Sequence, residues 1–242
     1  KAKKKSFAVL LDPDKLNKAS CLKMIQLGNE NQIDYFFVGG SLLTEDSLAF
    51  VIQLIKSNSS IPVIIFPGSN SQICREEEAI LLLSIISGRN ADALIGQHVI
   101  AATIWRKSGL ELLSTGYILI DSGRQTTVSY ISNTTPIPAD KPAIAACTAM
   151  AGEQLGLKLI YLDGGSGALN PISGELITMV HQSVDIPIIV GGGINSKERA
   201  HTALLAGADL IVVGNGIEKK PSLLSDIASI VSEINENIKV KA

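Results

Sequence analysis

Short runs of apolar, often β-branched residues recur along the chain, each followed by a longer stretch in which apolar positions return every three or four residues. The runs at 7–11, 35–38, 62–66, 79–84, 112–120, 159–162, 187–190 and 210–213 predict eight strands. The periodic stretches at 16–29, 44–58, 91–108, 141–155, 174–183, 197–206 and 222–237 predict helices. Eight strands alternating with helices point to an α/β fold, a single-domain (βα)8 TIM barrel over 1–242, rather than an open doubly wound sheet. The strands are apolar throughout, as expected of parallel strands covered on both faces.

Several boundaries carry their own signals. Asn195-Ser196 and Pro221-Ser222 mark helix starts, and Gly156 and Gly207 mark helix ends. The crossover at 67–78 is near the minimum length for a helix and is equally readable as a loop. The stretch 121–140, with Gly123, Pro136 and Pro138, has no regular period. A connection of that length in a barrel is expected to be a lid over the substrate, with a passive surface loop as the alternative.

Composition narrows the function. Hydrophobic residues are 46% and charged residues 18% of the 242, which rules out disorder for most of the chain. The 21 Lys+Arg against 23 Asp+Glu, with 4% aromatics, provide neither a broad basic surface nor stacking platforms, so nucleic acid is not an expected partner. Lys1, Lys3, Lys4 and Lys5 form a dense basic run, read as a disordered solvated tail over 1–5. The first residue is Lys rather than Met, so the natural start is expected upstream. The most apolar stretch, 79–86, is far short of the ~20 residues that cross a membrane. Cys21, Cys74 and Cys147 are odd in number and far apart, which argues for a reducing, cytoplasmic setting and against zinc.

Candidate chemistry gathers where strands end. Asp163-Gly164-Gly165-Ser166-Gly167, Gly191-Gly192-Gly193-Ile194 and Gly214-Asn215-Gly216 follow the sixth, seventh and eighth strands. These loops emerge at the C-terminal face of a barrel, where active sites are built and phosphate is commonly held. Glycine lets backbone N–H groups reach an anion with no side chain between. Asp12 ends the first strand and Ser41 follows the second. A carboxylate with a nearby hydroxyl suits Mg2+, which takes its other oxygens from water and substrate phosphates; turn and capping duty suits the same two residues equally. Asp163 is a candidate general base, or else orients loop amides. His98, His181 and His201 fall inside helical stretches and are read as packing or surface residues, and Trp105 as a packing or subunit-contact residue. No Gly-x-Ser-x-Gly elbow, HExxH pair or P-loop occurs.

The motifs in order, Leu11-Asp12-Pro13-Asp14-Lys15, Val38-Gly39-Gly40-Ser41, Phe66-Pro67-Gly68, Tyr161-Leu162-Asp163-Gly164-Gly165-Ser166-Gly167-Ala168, Val190-Gly191-Gly192-Gly193-Ile194 and Gly214-Asn215, resemble those of the geranylgeranylglyceryl phosphate synthase family, which includes bacterial heptaprenylglyceryl phosphate synthases. The resemblance implies Mg2+-dependent transfer of a geranylgeranyl or similarly long prenyl group from its diphosphate to the C3 hydroxyl of sn-glycerol 1-phosphate. It implies metal binding at Asp12 and Ser41, and glycerol-phosphate contacts at Tyr161, Leu162, Asp163, Gly164, Gly165, Ser166, Gly167, Gly192, Gly193, Gly214 and Asn215. It also implies a homo-oligomer and is compatible with transient membrane contact for product release. The segments Ile85 to Asn90 and Ile95-Gly96-Gln97-His98 are more similar to the archaeal and Bacteroidetes branch than to the Bacillus-type branch.

Two departures stand out. The family's Tyr-Leu-Glu-Ala-Gly-Ser-Gly pattern carries Asp163 for Glu and Gly164 for Ala, so a base here works from a shorter side chain. Leu10 stands where the Bacillus-type branch has a Lys, which removes one phosphate contact. The rival readings are an FMN-dependent barrel oxidoreductase, whose flavin phosphate the Gly192 and Gly214 loops would hold, and a non-catalytic phosphate-binding barrel.

Overall fold

The structure, a computed structural model, describes residues 4–45, 47–69, 72 and 79–241. Its strands are β1 (Ser6–Leu11), β2 (Tyr35–Gly39), β3 (Val63–Phe66), β4 (Ala79–Ile85), β5 (Glu111–Leu119), β6 (Leu159–Asp163), β7 (Ile188–Gly191) and β8 (Leu210–Val213). All pair in parallel, each with its neighbours in the sequence, and β1 pairs with β8 to close the barrel. Each strand lies within one residue of its predicted ends.

The helices are α1 (Lys18–Glu30), α2 (Leu48–Asn58), α3 (Gln97–Ser108), α4 (Thr127–Ile131), α5 (Pro142–Gln154), α6 (Gly174–Ser183), α7 (Lys197–Leu205), α8 (Asn215–Lys219) and α9 (Leu223–Lys241). Asn17 starts α1 by a reciprocal cap with Ser20, and Ser173 and Ser196 cap α6 and α7. The stretch expected as one helix over 91–108 is divided: Asp92–Gly96 is a π turn and α3 begins only at Gln97. A short 3-10 turn, Pro13–Lys15, precedes α1.

Side chains alternate across each strand. Ala8, Phe37, Phe66, Leu81, Tyr117, Leu119, Tyr161, Ile189 and Val212 fill the barrel interior. Their sequence neighbours, among them Phe7, Val9, Phe36, Val38, Ile160 and Leu162, pack outward against the helices. Each such aliphatic group contributes roughly 1.5–3 kcal/mol on full burial.

Two expectations are corrected. The tail expected over 1–5 is anchored at its inner end: the Lys5 backbone exchanges hydrogen bonds with the Asn235 amide at 2.7 and 2.8 Å, the Lys5 ammonium pairs with buried Asp209, and Lys4 pairs with Asp34. Lys1 and Lys3 lie outside the described residues, as do Cys74 and most of the 67–78 crossover. The 121–140 stretch is not devoid of regular structure. Thr126 caps α4 through a reciprocal bond with Ser129, Ile137 bridges to Ile120, and Ser122, Thr126 and Thr134 are buried.

Candidate active site

A cavity of about 640 Å³ opens at the C-terminal ends of the strands. Asp12, one residue beyond β1, lines it and caps the 3-10 turn, accepting the Asp14 amide at 3.3 Å and pairing with Lys15 Nζ at 2.6 Å. Ser41 lines the cavity from the loop after β2. That loop is held on two sides. A Cβ placed at Gly68 would lie 2.1 Å from the Gly40 carbonyl oxygen, so the β3 loop presses on it directly. The Asp14 carboxylate accepts the Thr44 amide at 2.6 Å and its hydroxyl at 2.9 Å, bonds that hold this carboxyl below the usual range. Asp12 thus serves as a turn residue and faces the cavity at once, while Ser41 stands at a bend facing the same cavity.

The glycine-rich loops form the opposite wall. Gly165, Ser166, Gly167, Gly192, Gly193, Gly214 and Asn215 all line the cavity. Asn215 at the start of α8 donates to the Ser166 hydroxyl at 2.9 Å, which joins the loops after β6 and β8. Arg199 holds the Gly193 carbonyl at 2.8 Å. Gly192 has φ +81°, and a Cβ there would sit 2.6 Å from the Gly164 amide nitrogen, so only glycine permits this approach. Two expected contacts sit behind this surface: the Leu162 side chain faces the helical layer, and Gly164 is buried with its amide given to the Gly191 carbonyl at 3.1 Å.

Asp163 and Tyr161 share the inward parity of β6 and both reach the cavity. One Asp163 oxygen accepts the Gly165 amide at 2.9 Å and the other accepts the Tyr117 hydroxyl. Burial raises the Asp163 pKa above the ordinary carboxylate value, and those two donors oppose the rise. Burial, with the adjacent carboxylate, pushes the Tyr117 phenol well up, so it remains a donor. Phe66, Tyr117 and Tyr161 pack with centroids 5.4–6.5 Å apart and fix the phenol's direction.

A second cavity of about 310 Å³ adjoins the first, with Ser41 and Phe66 common to both walls. Leu81, Leu83, Ile85, Val128 and Ile131 line one part of it and Asn90, Asp92, Gln97 and Ser132 another, and His98 and Trp105 stand edge to face at 5.8 Å in its wall. Burial lowers the His98 pKa, keeping the ring neutral. His181 packs beneath Gly207 and His201 is exposed. The histidines therefore occupy the packing and surface places expected of them, with His98 also in a cavity wall.

Lys15, Tyr117, Arg124, Thr127 and Lys219 were not singled out from the sequence, yet each faces one of the two cavities. Arg124 reaches to 3.9 Å from a Cβ placed at Gly167. Leu10 lines the first cavity beside Gly214, so positive charge near the glycine-rich loops comes from Arg124 and Lys219 rather than from β1. Arg124 and Thr127 face the first cavity while Val128, Ile131 and Ser132 face the second, so the 121–140 stretch contributes to the walls of both. Among the described residues no group of three or more His, Cys, Asp or Glu side chains is arranged to hold a metal.

A family model described as the PcrB family matches residues 1–234. A geranylgeranylglyceryl phosphate synthase from Spirosoma linguale is 57% identical over 97% of this chain and 94% of its own. One from Thermococcus gammatolerans is 39% identical over 98% of this chain and 94% of its own. The crystal structure of (S)-3-O-geranylgeranylglyceryl phosphate synthase from Thermoplasma acidophilum, in complex with its substrate sn-glycerol-1-phosphate, superposes with a TM-score of 0.90 at 30% identity, covering 95% of this chain and 94% of that one.

Proposed function

Because this chain belongs to the PcrB family, we propose that it transfers a geranylgeranyl or similarly long prenyl group from prenyl diphosphate to the C3 hydroxyl of sn-glycerol 1-phosphate, forming an ether. The observation that carries this reading is the pair of adjoining cavities, one walled by glycine-rich loops and cations, the other by a run of aliphatic side chains beside a few polar ones, with Asp163 in the first. The glycine loops, Arg124 and Lys219 hold the acceptor's phosphate and leave its hydroxyl end toward Asp163. The prenyl chain lies in the apolar cavity, a space that a flavin reading leaves without use.

Asp163 takes the hydroxyl proton as the oxygen attacks the allylic carbon, and the raised carboxyl pKa makes it a better acceptor than an ordinary aspartate. The donor set fits Mg2+: Asp12 and Ser41 offer one carboxylate and one hydroxyl, a lean set suited to an ion that completes its shell with water and phosphate oxygens. When bound there, Mg2+ neutralises charge on the diphosphate leaving group. Lys15, already paired with Asp12, supplies further positive charge at the same edge.

We place the protein in the cytoplasm as a homo-oligomer that touches membranes only transiently. No described helix is long and apolar enough to cross a membrane. Exposed aliphatic side chains on α3, including Val99 and Ile100, support association with another surface.

The test is incubation with labelled sn-glycerol 1-phosphate, Mg2+ and prenyl diphosphates of several lengths. A lipid-soluble, phosphatase-resistant ether that requires Mg2+ is expected, and Asp12→Asn should remove most of the turnover while leaving the fold intact. Tight glycerol phosphate binding with no product at any chain length would leave a phosphate-binding barrel and not a transferase.

A further inference from the structure

Tyr117 stands between the two cavities. Its ring forms part of the apolar wall, while its hydroxyl donates to Asp163 in the polar cavity. The ring is 3% exposed and wedged against Phe66 and Tyr161, so the phenol has one direction open to it. Asp163 is one methylene shorter than the glutamate its motif suggests, and a short carboxylate depends more on its partners for its aim. The Gly165 amide fixes one oxygen and Tyr117 fixes the other.

We propose that Tyr117 is a positioning residue for the transfer: its hydroxyl aims the Asp163 carboxylate at the acceptor, while its ring, walling the apolar cavity, sets where the donor's allylic end meets that carboxylate. The proposal rests on the reading of Asp163 as the base. In the step, the acceptor's C3 oxygen bonds to the allylic carbon as the bond from that carbon to diphosphate breaks. The diphosphate leaves with the electron pair, and the hydroxyl proton passes to Asp163. Tyr117 keeps its own proton throughout.

This geometry has a signature in pH. Tyr117 on β5 and Tyr161 on β6 are the titratable side chains packed against Asp163, and Asp12, Asp14, Lys15, Arg124 and Lys219 are the charged side chains around the same cavity. A donor to the ionised carboxylate favours that form, so removing it raises the pH at which the base becomes competent. Tyr117→Phe keeps the ring and removes the donor. It should lower kcat about tenfold, leave both KM values near those of the parent, and move the acid limb of kcat/KM up by about one pH unit. Tyr117→Leu should in addition raise KM for the prenyl diphosphate. A Tyr117→Phe enzyme with parental kcat and an unmoved limb would reduce Tyr117 to a packing residue and overturn the proposal.

Should Tyr117→Phe fold poorly, a fluorinated tyrosine inserted at position 117 keeps the shape and donates more strongly. It should move the limb to lower pH, and an unmoved limb overturns the proposal equally. Asp163→Asn assayed alongside separates the two ideas. Full activity in Asp163→Asn removes the base reading itself, whereas an inactive Asp163→Asn beside a parental Tyr117→Phe overturns the Tyr117 assignment alone.

Discussion

On the proposed reading, Asp163 must ionise in a place that disfavours charge. Burial raises its pKa, and the two bonds that counter this come from a neighbouring strand and from its own loop. Activity that depends on the ionised form should therefore fall, as pH drops, at a higher pH than an ordinary aspartate would give. Asp163→Asn should lower kcat by ~100- to 10,000-fold with glycerol phosphate affinity almost unchanged, since the loop amides remain. Asp163→Glu should keep substantial activity. Steady-state kinetics decides: a raised KM with kcat intact would make Asp163 a binding group. Asp163 and Asp12 were legible in the sequence because each follows an apolar strand within a distinctive motif. Tyr117 was not, because a tyrosine inside the β5 run looks like core. Arg124 and Lys219 were hidden for another reason: one sits on an irregular loop and the other ends a helix too short to show a period, and only the folded chain brings them to the cavity wall.

At the scale of elements, the glycine-rich wall of the first cavity is a set of backbone segments held at close approach. Gly192 lies 2.8 Å, by its would-be Cβ, from the Asp163 carboxylate, whereas a Cβ at Gly214 would meet Leu10 at an ordinary 3.5 Å. Gly192→Val should therefore weaken glycerol phosphate at least tenfold while changing prenyl diphosphate affinity little, and Gly214→Ala should be much milder. Calorimetric titration of each ligand checks this, and equal losses for both would mean that Gly192 serves barrel geometry alone. The strands were legible to within a residue because apolar runs are sharply bounded by polar turns. Helices α4 and α8, at five residues each, are too short to show a period. The π turn at Asp92–Gly96 was read through as helix because its composition matches that of the helix it joins.

Taken as a whole, the barrel divides stability from chemistry between its two ends. At the end away from the cavities, buried Asp209 on the approach to β8 accepts the Ile188 amide at 3.0 Å and pairs with Lys5 at 3.3 Å, while its backbone carbonyl receives the Ser6 amide at 3.0 Å. These bonds close the ring between the first strand and the last two. Asp209→Ala should cost about 3 kcal/mol by denaturant unfolding, because it strands a half-buried ammonium and an amide, and should leave kcat/KM as it was. A comparable loss of activity in the folded variant would show that the two ends are coupled. Eight alternating strands made the closed barrel legible, but this lock joins residues more than 200 positions apart and follows no local pattern. The partition made by Ser41 and Phe66 has a consequence for the order of events. With a separate chamber on each side of it, neither substrate stands in the other's way. On the proposed function, arrival in either sequence is then expected, and initial-rate patterns should be those of a ternary complex rather than of a prenylated protein carried from one half-reaction to the next.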